Sequence, residues 1–267
     1  MSTVRFLVFG DVMGRLGRAG ITRILPALRE EHHPDAIIIN IENMAHGKGV
    51  SPSTLQEALT WKADVYTTGD HAWDYKTADE LLNDSRTPMI RPANYSDNFS
   101  GRGYHIFSMG LVTVAVMQLQ GQVFMKTEPA NPFRDLDRLL KIPAIAAADI
   151  RLLDFHAEAT SEKRGMGWHG DGRISAMWGT HTHIPTADAQ ILPEGTGYIS
   201  DVGMNGAYYS IIGMAPDGPL YRFRTDHKAR LEPPNEGPIE INAVRFDIDP
   251  TNSKTTDIAF IRKILND

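Results

Sequence analysis

Eight side chains able to bind a cation or move a proton follow short apolar runs in this 267-residue chain. VRFLVFG leads into Asp11, AIIINI into Glu42 and Asn43, VYTTG into Asp70 and His71, IRLLDF into His156, and ISAMWGT into His181 and His183. Carboxylates, an amide and imidazoles without sulfur suit Mn²⁺, Fe, Zn²⁺ or Co²⁺, and several histidines argue against a pure Mg²⁺ or Ca²⁺ site. The set is too large for one tetrahedral ion. Two ions roughly 3.5 to 4 Å apart, sharing a carboxylate and a solvent ligand, would use it. Such a pair lowers the pKa of its water, so that hydroxide forms near neutral pH.

Taken singly, each residue has a plainer reading. An Asp after a strand and a Gly often caps a helix, as Asp11 would, and Glu42-Asn43 suits a turn. The pair His181-Thr182-His183 is stronger, because alternate residues of an extended segment point the same way. What joins the eight is the elements that carry them. Apolar runs alternate with amphipathic stretches over 21–29, 55–61 and 78–82, which is α/β alternation. In such sheets ligands bind beyond the carboxyl ends of the strands, so groups following five runs can meet in one crevice. MIRPAN and LVTVAVMQLQ also read as strands, and INAVRFDID and IAFIRKIL as a closing pair that makes the sheet mixed or doubled. GQVFMKTEPANPF and EATSEKRGMGWHGDG read as loops that can hold short helices, HKARLEPPNEGP as a surface wrap and GMNGAYYSIIGM as core packing ahead of a pocket lining or a subunit contact.

Composition narrows the classes. With 42% hydrophobic and 22% charged residues, the chain is an ordinary globular protein, expected as one domain over 1–267. A net charge of -6 argues against a dedicated nucleic-acid or anionic-membrane surface. The absence of cysteine excludes disulfides, zinc knuckles, iron-sulfur clusters and thiol nucleophiles. No apolar stretch approaches the roughly 20 residues of a membrane span, and the first run breaks at Gly10-Asp11 as a strand does, so a cytoplasmic location is expected. AHGKGVS lacks P-loop spacing, and there is no G-x-S-x-G elbow.

The segments FGDVMGRLGR, NIENMAHGKG, VYTTGDHAWD, IRPANY, LDFHAEATSEK, GTHTHIPTAD and ISDVGMNG resemble the calcineurin-like metallophosphoesterases, specifically their YmdB-like bacterial branch. The resemblance runs to about Gly206, and DFHAEATSEK and GTHTHIPTAD are its most specific parts. It implies two mixed β-sheets packed as a sandwich flanked by helices, with the site at one edge. It also implies that Asp11, Asn43 and His183 hold one metal, that Asp70, His156 and His181 hold the second, and that Glu42 bridges. His71 would face the phosphate as acid or transition-state stabiliser. The implied cofactors are two divalent or mixed-valence ions, Fe or Mn ahead of Zn or Co. The implied substrate is a small phosphodiester, a 2',3'-cyclic nucleotide, and the implied assembly a homo-oligomer. Two features depart from pattern: Asp-Val-Met stands where the wider superfamily has Asp-x-His, and Asp70 stands where the branch usually has Asn.

A dinuclear amidohydrolase would use similar ligands, and a regulatory protein could keep the metals with little turnover. The adjacent Asp70-His71 pair favours phosphate chemistry, because a noncoordinating histidine beside a ligand suits a developing phosphoryl charge. Asp70 keeps the regulatory alternative open. Arg15, Arg91 and Asn94 lie near the same strand ends and read equally as phosphate contacts or as ordinary surface and turn residues.

Overall fold

The structure is a computed structural model that describes residues 3–266. Strands β1 (Val4–Phe9), β2 (Asp11–Val12), β3 (Ala36–Asn40) and β4 (Val65–Thr67) begin a first sheet. Strands β5 (Tyr104–Met109), β6 (Val112–Gln120), β7 (Ile150–His156), β8 (Ala176–Thr180), β9 (Gln190–Ile191) and β10 (Gly197–Ile199) form a second. The chain then returns to the first sheet with β11 (Met204–Ala207), β12 (Ile239–Asp249) and β13 (Lys254–Leu265).

Both sheets are mixed. β1, β3 and β4 run parallel, as do β6, β7, β8 and β10, while β12 lies antiparallel to β1, β11 and β13. Within each parallel set the carboxyl ends therefore emerge along one edge.

Strand alternation sorts the apolar side chains into three layers. Phe6, Val8 and Ile38 of the first sheet meet Val116, Leu152 and Trp178 of the second between the sheets. Leu7, Phe9, Ile37 and Ile39 point outward beneath helices α1 (Gly14–His32), α2 (Pro52–Leu59) and α3 (Ala78–Asn83). Met117, Leu153, Phe155 and Met177 do the same beneath α4 (Pro132–Leu139), α5 (Pro143–Ala146) and α6 (Thr160–Gly170). The result is the expected sandwich of two mixed sheets flanked by helices. A last helix, α7 (Asp217–Thr225), carries exposed Leu220, Tyr221 and Phe223.

Three local expectations differ. MIRPAN contributes only an isolated bridge between Tyr66 and Met89, because Pro92 has no N–H to extend a ladder. EATSEKRGMGWHGDG holds more than a short helix, since α6 runs for 11 residues despite its glycines. Gly167 lets the helix lie against Tyr198, whose ring a β-carbon would strike. GMNGAYYSIIGM buries Met204 and Ala207 but leaves Tyr208, Tyr209 and Ile212 exposed, so only its first half packs in the core.

Candidate metal centre

The carboxyl ends of both sheets meet at a seam, and all eight predicted residues lie along it. From the first sheet, β2 begins with Asp11, β3 is followed by Glu42 and Asn43, and β4 by Asp70 and His71. From the second, β7 ends in His156, and His181 and His183 follow β8. Apart from His71, oxygen donors thus come from the first sheet and imidazoles from the second. Gly69 permits the close approach, since a β-carbon there would collide with the Glu42 carboxylate and the His156 ring.

Ligand atoms of Glu42, Asp70, His156 and His181 all lie within 4.8 Å of one another. His156 Nε2 is 3.1 Å from Asp70 Oδ1, 3.2 Å from Glu42 Oε1 and 3.1 Å from His181 Nδ1. The other face of that ring fixes its tautomer. Thr180 Oγ1 donates to Asp154 (2.7 Å), so His156 Nδ1–H must donate to Thr180 Oγ1 (2.9 Å), and Nε2 points at the carboxylates, as an acceptor open to a cation when the ring is neutral and as a donor to Asp70 when it is protonated. Asp154 is completely buried and also accepts from Thr67 Oγ1 (2.5 Å), and burial pushes its carboxyl up to about 7.

Asn43 and His183 show the same opposition. His183 Nδ1–H donates to Ile212 O (2.9 Å), and Asn43 Nδ2 donates to Gly47 O (3.2 Å). Two acceptors, His183 Nε2 and Asn43 Oδ1, therefore face each other at 3.3 Å. Asp11 accepts from His181 N–H (3.2 Å) through one oxygen, while its other oxygen is buried with no partner. Acceptors aimed at acceptors, with an orphaned carboxylate oxygen beside them, are the arrangement that cations satisfy.

The electrostatics agree. Burial resists ionisation of Asp70, yet hydrogen bonds from His156 and His181 outweigh it and hold the carboxyl well below its usual range. Burial likewise resists protonation of His156, but Glu42 and Asp70 raise its pKa well above the ordinary histidine value. The cluster draws positive charge to its centre.

His71 stands apart, with Nδ1 2.8 Å from Asp74 Oδ2 and its side chain 20% exposed. The dyad leaves Nε2 free to meet a ligand. Of the other residues considered, Asn94 is spent on the backbone of Gln120 and Ala130, Arg91 is buried against backbone carbonyls, and Arg15 is exposed.

The His-Thr-His segment is not extended, because β8 stops at Thr180 and both histidines have positive φ, 99° for His181 and 65° for His183. Such backbone costs about 1–3 kcal/mol per residue and persists only where its surroundings hold it. Lys163 and Asp201 do so. Lys163 Nζ, fully buried, donates to Thr180 O (2.9 Å) and Asp201 Oδ2 (2.5 Å), and Asp201 Oδ2 also accepts from Thr182 N–H (3.2 Å). The clamp grips the turn on either side of His181. Glu158 Oε2 adds a contact to His181 Nε2 at 3.2 Å.

Asp74, Asp154, Lys163 and Asp201 did not stand out in the sequence. Only Asp74 leaves a local signal, its i,i+3 spacing from His71; the rest meet their partners through tertiary folding.

The family model of the YmdB-like proteins matches residues 7–261. The chain belongs to the YmdB-like family. It is 39% identical over 264 residues to a Bacillus subtilis (strain 168) 2',3'-cyclic-nucleotide 2'-phosphodiesterase, covering 99% of this chain and 98% of that one. Among solved structures, a hypothetical protein from Thermus thermophilus superposes with a TM-score of 0.90 at 36% identity, covering 98% of this chain and 99% of that one. A novel phosphatase from Mycoplasma pneumoniae superposes with a TM-score of 0.93 at 31% identity, covering 100% and 95%. Both structures match nearly the whole chain, and so both strand sets that meet at the seam.

Proposed function

We propose that the chain hydrolyses small phosphodiesters, foremost 2',3'-cyclic nucleotides, at a centre of two divalent or mixed-valence ions, Fe or Mn ahead of Zn or Co. The observation that carries this reading is the set of mutually facing acceptors at the seam, with the His71–Asp74 dyad beside it. The near full-length likeness to the Bacillus subtilis phosphodiesterase supports the substrate class. Asp11, Asn43 and His183 would hold one ion, Asp70, His156 and His181 the other, and Glu42 both. Bound there, the ions supply Lewis acidity and an activated water at neutral pH.

The protein's own groups do the rest. Thr180 and Ile212 O orient the rings of His156 and His183, and Gly47 O orients the Asn43 amide, so the ligands are set before substrate arrives. As water adds to phosphorus and the bond to the 2'-oxygen breaks, His71 would give an Nε2 proton to the departing oxygen while Asp74 steadies the ring, and the proton shed by the added water passes to solvent, from which His71 is reprotonated. Exposed Tyr208, Tyr209, Ile212, Leu220, Tyr221 and Phe223, all from one stretch of the chain, support a homo-oligomer, since exposed large apolar side chains suit a contact.

The test is hydrolysis of a 2',3'-cyclic nucleotide by protein of measured metal content. The 3'-monophosphate should form, and chelation should abolish its formation. Two bound ions with amide cleavage and no phosphodiester turnover would point instead to an amidohydrolase.

A further inference from the structure

A cavity of about 480 Å³ opens beside edge strand β5, and its wall includes Arg91, Arg102, Arg138, His105, Tyr104 and Leu139. Arg91 is only 5% exposed. Its Nη1 donates to Pro92 O (2.8 Å) and its Nη2 to Phe99 O (3.3 Å), while its Nε is buried without a partner. Arg102 donates to Thr87 O and also has a buried Nε without a partner. Of the three arginines, Arg138 alone is ion-paired among the described residues, to Asp135 at 2.6 Å.

Asp97, which is exposed, is the acid on the wall. Buried charges ordinarily carry a partner, because desolvation without one is costly. Burial pulls the Arg91 guanidinium below its usual pKa, Asp97 opposes that pull and Arg138 adds to it. In a chain of net charge -6, three arginines around one cavity with one wall carboxylate depart from the average in a definite direction.

We propose that this cavity is a second anion site, separate from the metal centre, that takes a nucleoside monophosphate. Guanidinium forks match the oxygens of a phosphate, and Arg102 and Arg138 are exposed enough to meet one arriving from solvent. Tyr104, Ile106 and Leu139 give the same cavity an apolar wall for the body of the ligand, and its volume lies in the small-molecule range. The choice of nucleoside monophosphate rests on the proposed reaction, since opening a cyclic nucleotide with water yields that compound.

Calorimetric titration of the metal-loaded protein tests it, with inorganic phosphate, a nucleoside 3'-monophosphate and the bare nucleoside as ligands. Wild type should bind two equivalents of the monophosphate. Arg102→Gln and Arg138→Gln should each weaken one equivalent by roughly tenfold or more, leaving the other equivalent, metal content and turnover unchanged. A single equivalent in wild type, or two that neither variant alters, overturns the site. A nucleoside that binds as tightly as its monophosphate overturns the phosphate assignment, and inorganic phosphate that matches the monophosphate overturns the role of the apolar wall. If Arg102→Gln unfolds through loss of its Thr87 contact, the half-exposed Arg138 carries the test. The phosphate arm does not depend on turnover. Arginine-dependent phosphate binding without phosphodiester hydrolysis refutes the reaction alone, whereas hydrolysis with a single equivalent refutes the cavity alone.

Discussion

The two halves of the seam are built differently. Glu42, Asp70, His156 and His181 converge within 4.8 Å, and His156 is braced from behind by a buried chain through Thr180 and Asp154 to Thr67, which ties one sheet to the other. Asn43 and His183 are held by backbone carbonyls of loops at Gly47 and Ile212, and Asp11 by the His181 N–H, its other oxygen having no partner among the described residues. The first half is braced by side chains that link the two sheets, and the second mainly by loop carbonyls. Fixed geometry lowers the cost of binding, so the first half should keep its ion more firmly than the second.

The harshest way to break this comparison is to remove the one group proposed to serve both halves. Glu42→Ala should abolish turnover and lower metal content in both halves, because it leaves the mutual repulsion of two cations uncompensated. Elemental analysis of the purified variant checks it. Two ions retained at full occupancy would show that Glu42 does not bridge.

Next in size is His71→Ala, which should leave both halves loaded and reduce turnover by about 10² to 10⁴, the usual contribution of a positioned acid or base. The loss should shrink for substrates with good leaving groups. A lost ion would make His71 a ligand, and unchanged activity would make it a surface residue.

Lys163→Met sharpens the contrast between the halves. Without the ammonium, the strained turn loses its grip at Thr180 O, and Asp201 is left buried without its partner. Metal affinity should fall by about 10 to 100-fold, the scale for residues that orient ligands, with the larger loss in the His181 half, whose turn the clamp grips. Stability should drop by about 3–5 kcal/mol, as when one member of a buried pair is removed. Metal titration beside denaturant unfolding separates the two effects. A stability loss with unchanged metal affinity would reduce the clamp to packing.

Why the site was more legible than its supports follows from where each kind of information resides. Asp11, Glu42, Asp70, His156 and His181 all follow recognisable apolar runs, and the parallel order within each sheet brings such positions to one edge. The three-layer division of the core was equally available, because alternation along β1 sends Phe6 and Val8 one way and Leu7 and Phe9 the other. Lys163 and Asp201 are 38 residues apart and acquire meaning only when α6 packs beside β8. The helix itself was obscured by Gly165, Gly167 and Gly170, residues that ordinarily punctuate loops. The positive φ of His181 and His183 has no sequence signature, since a strand pattern leads up to them and both residues ordinarily avoid that conformation.

The mildest perturbation is Asp70→Asn, which changes charge while nearly preserving shape. Asp70 Oδ1 lies 3.1 Å from His156 Nε2, and an amide oxygen can take its place. Two divalent ions bring +4, and Asp11, Glu42 and Asp70 bring -3, leaving +1; with Asn at 70 the total is +2. A more positive centre should hold its ions less firmly, attract an anionic phosphoester more strongly and favour deprotonated water at lower pH. The expected outcome is a lower KM, an acidic limb of the kcat/KM profile moved down by about one unit, and weaker metal retention, all in the better-braced half. A trivalent iron in the native centre would already supply the added charge and remove the gain, so metal content and oxidation state must be measured in both forms. An unchanged acidic limb with two divalent ions bound would mean that charge at this position does not set the field at the reacting water, and that Asp70 acts through the geometry it imposes on His156 and His181.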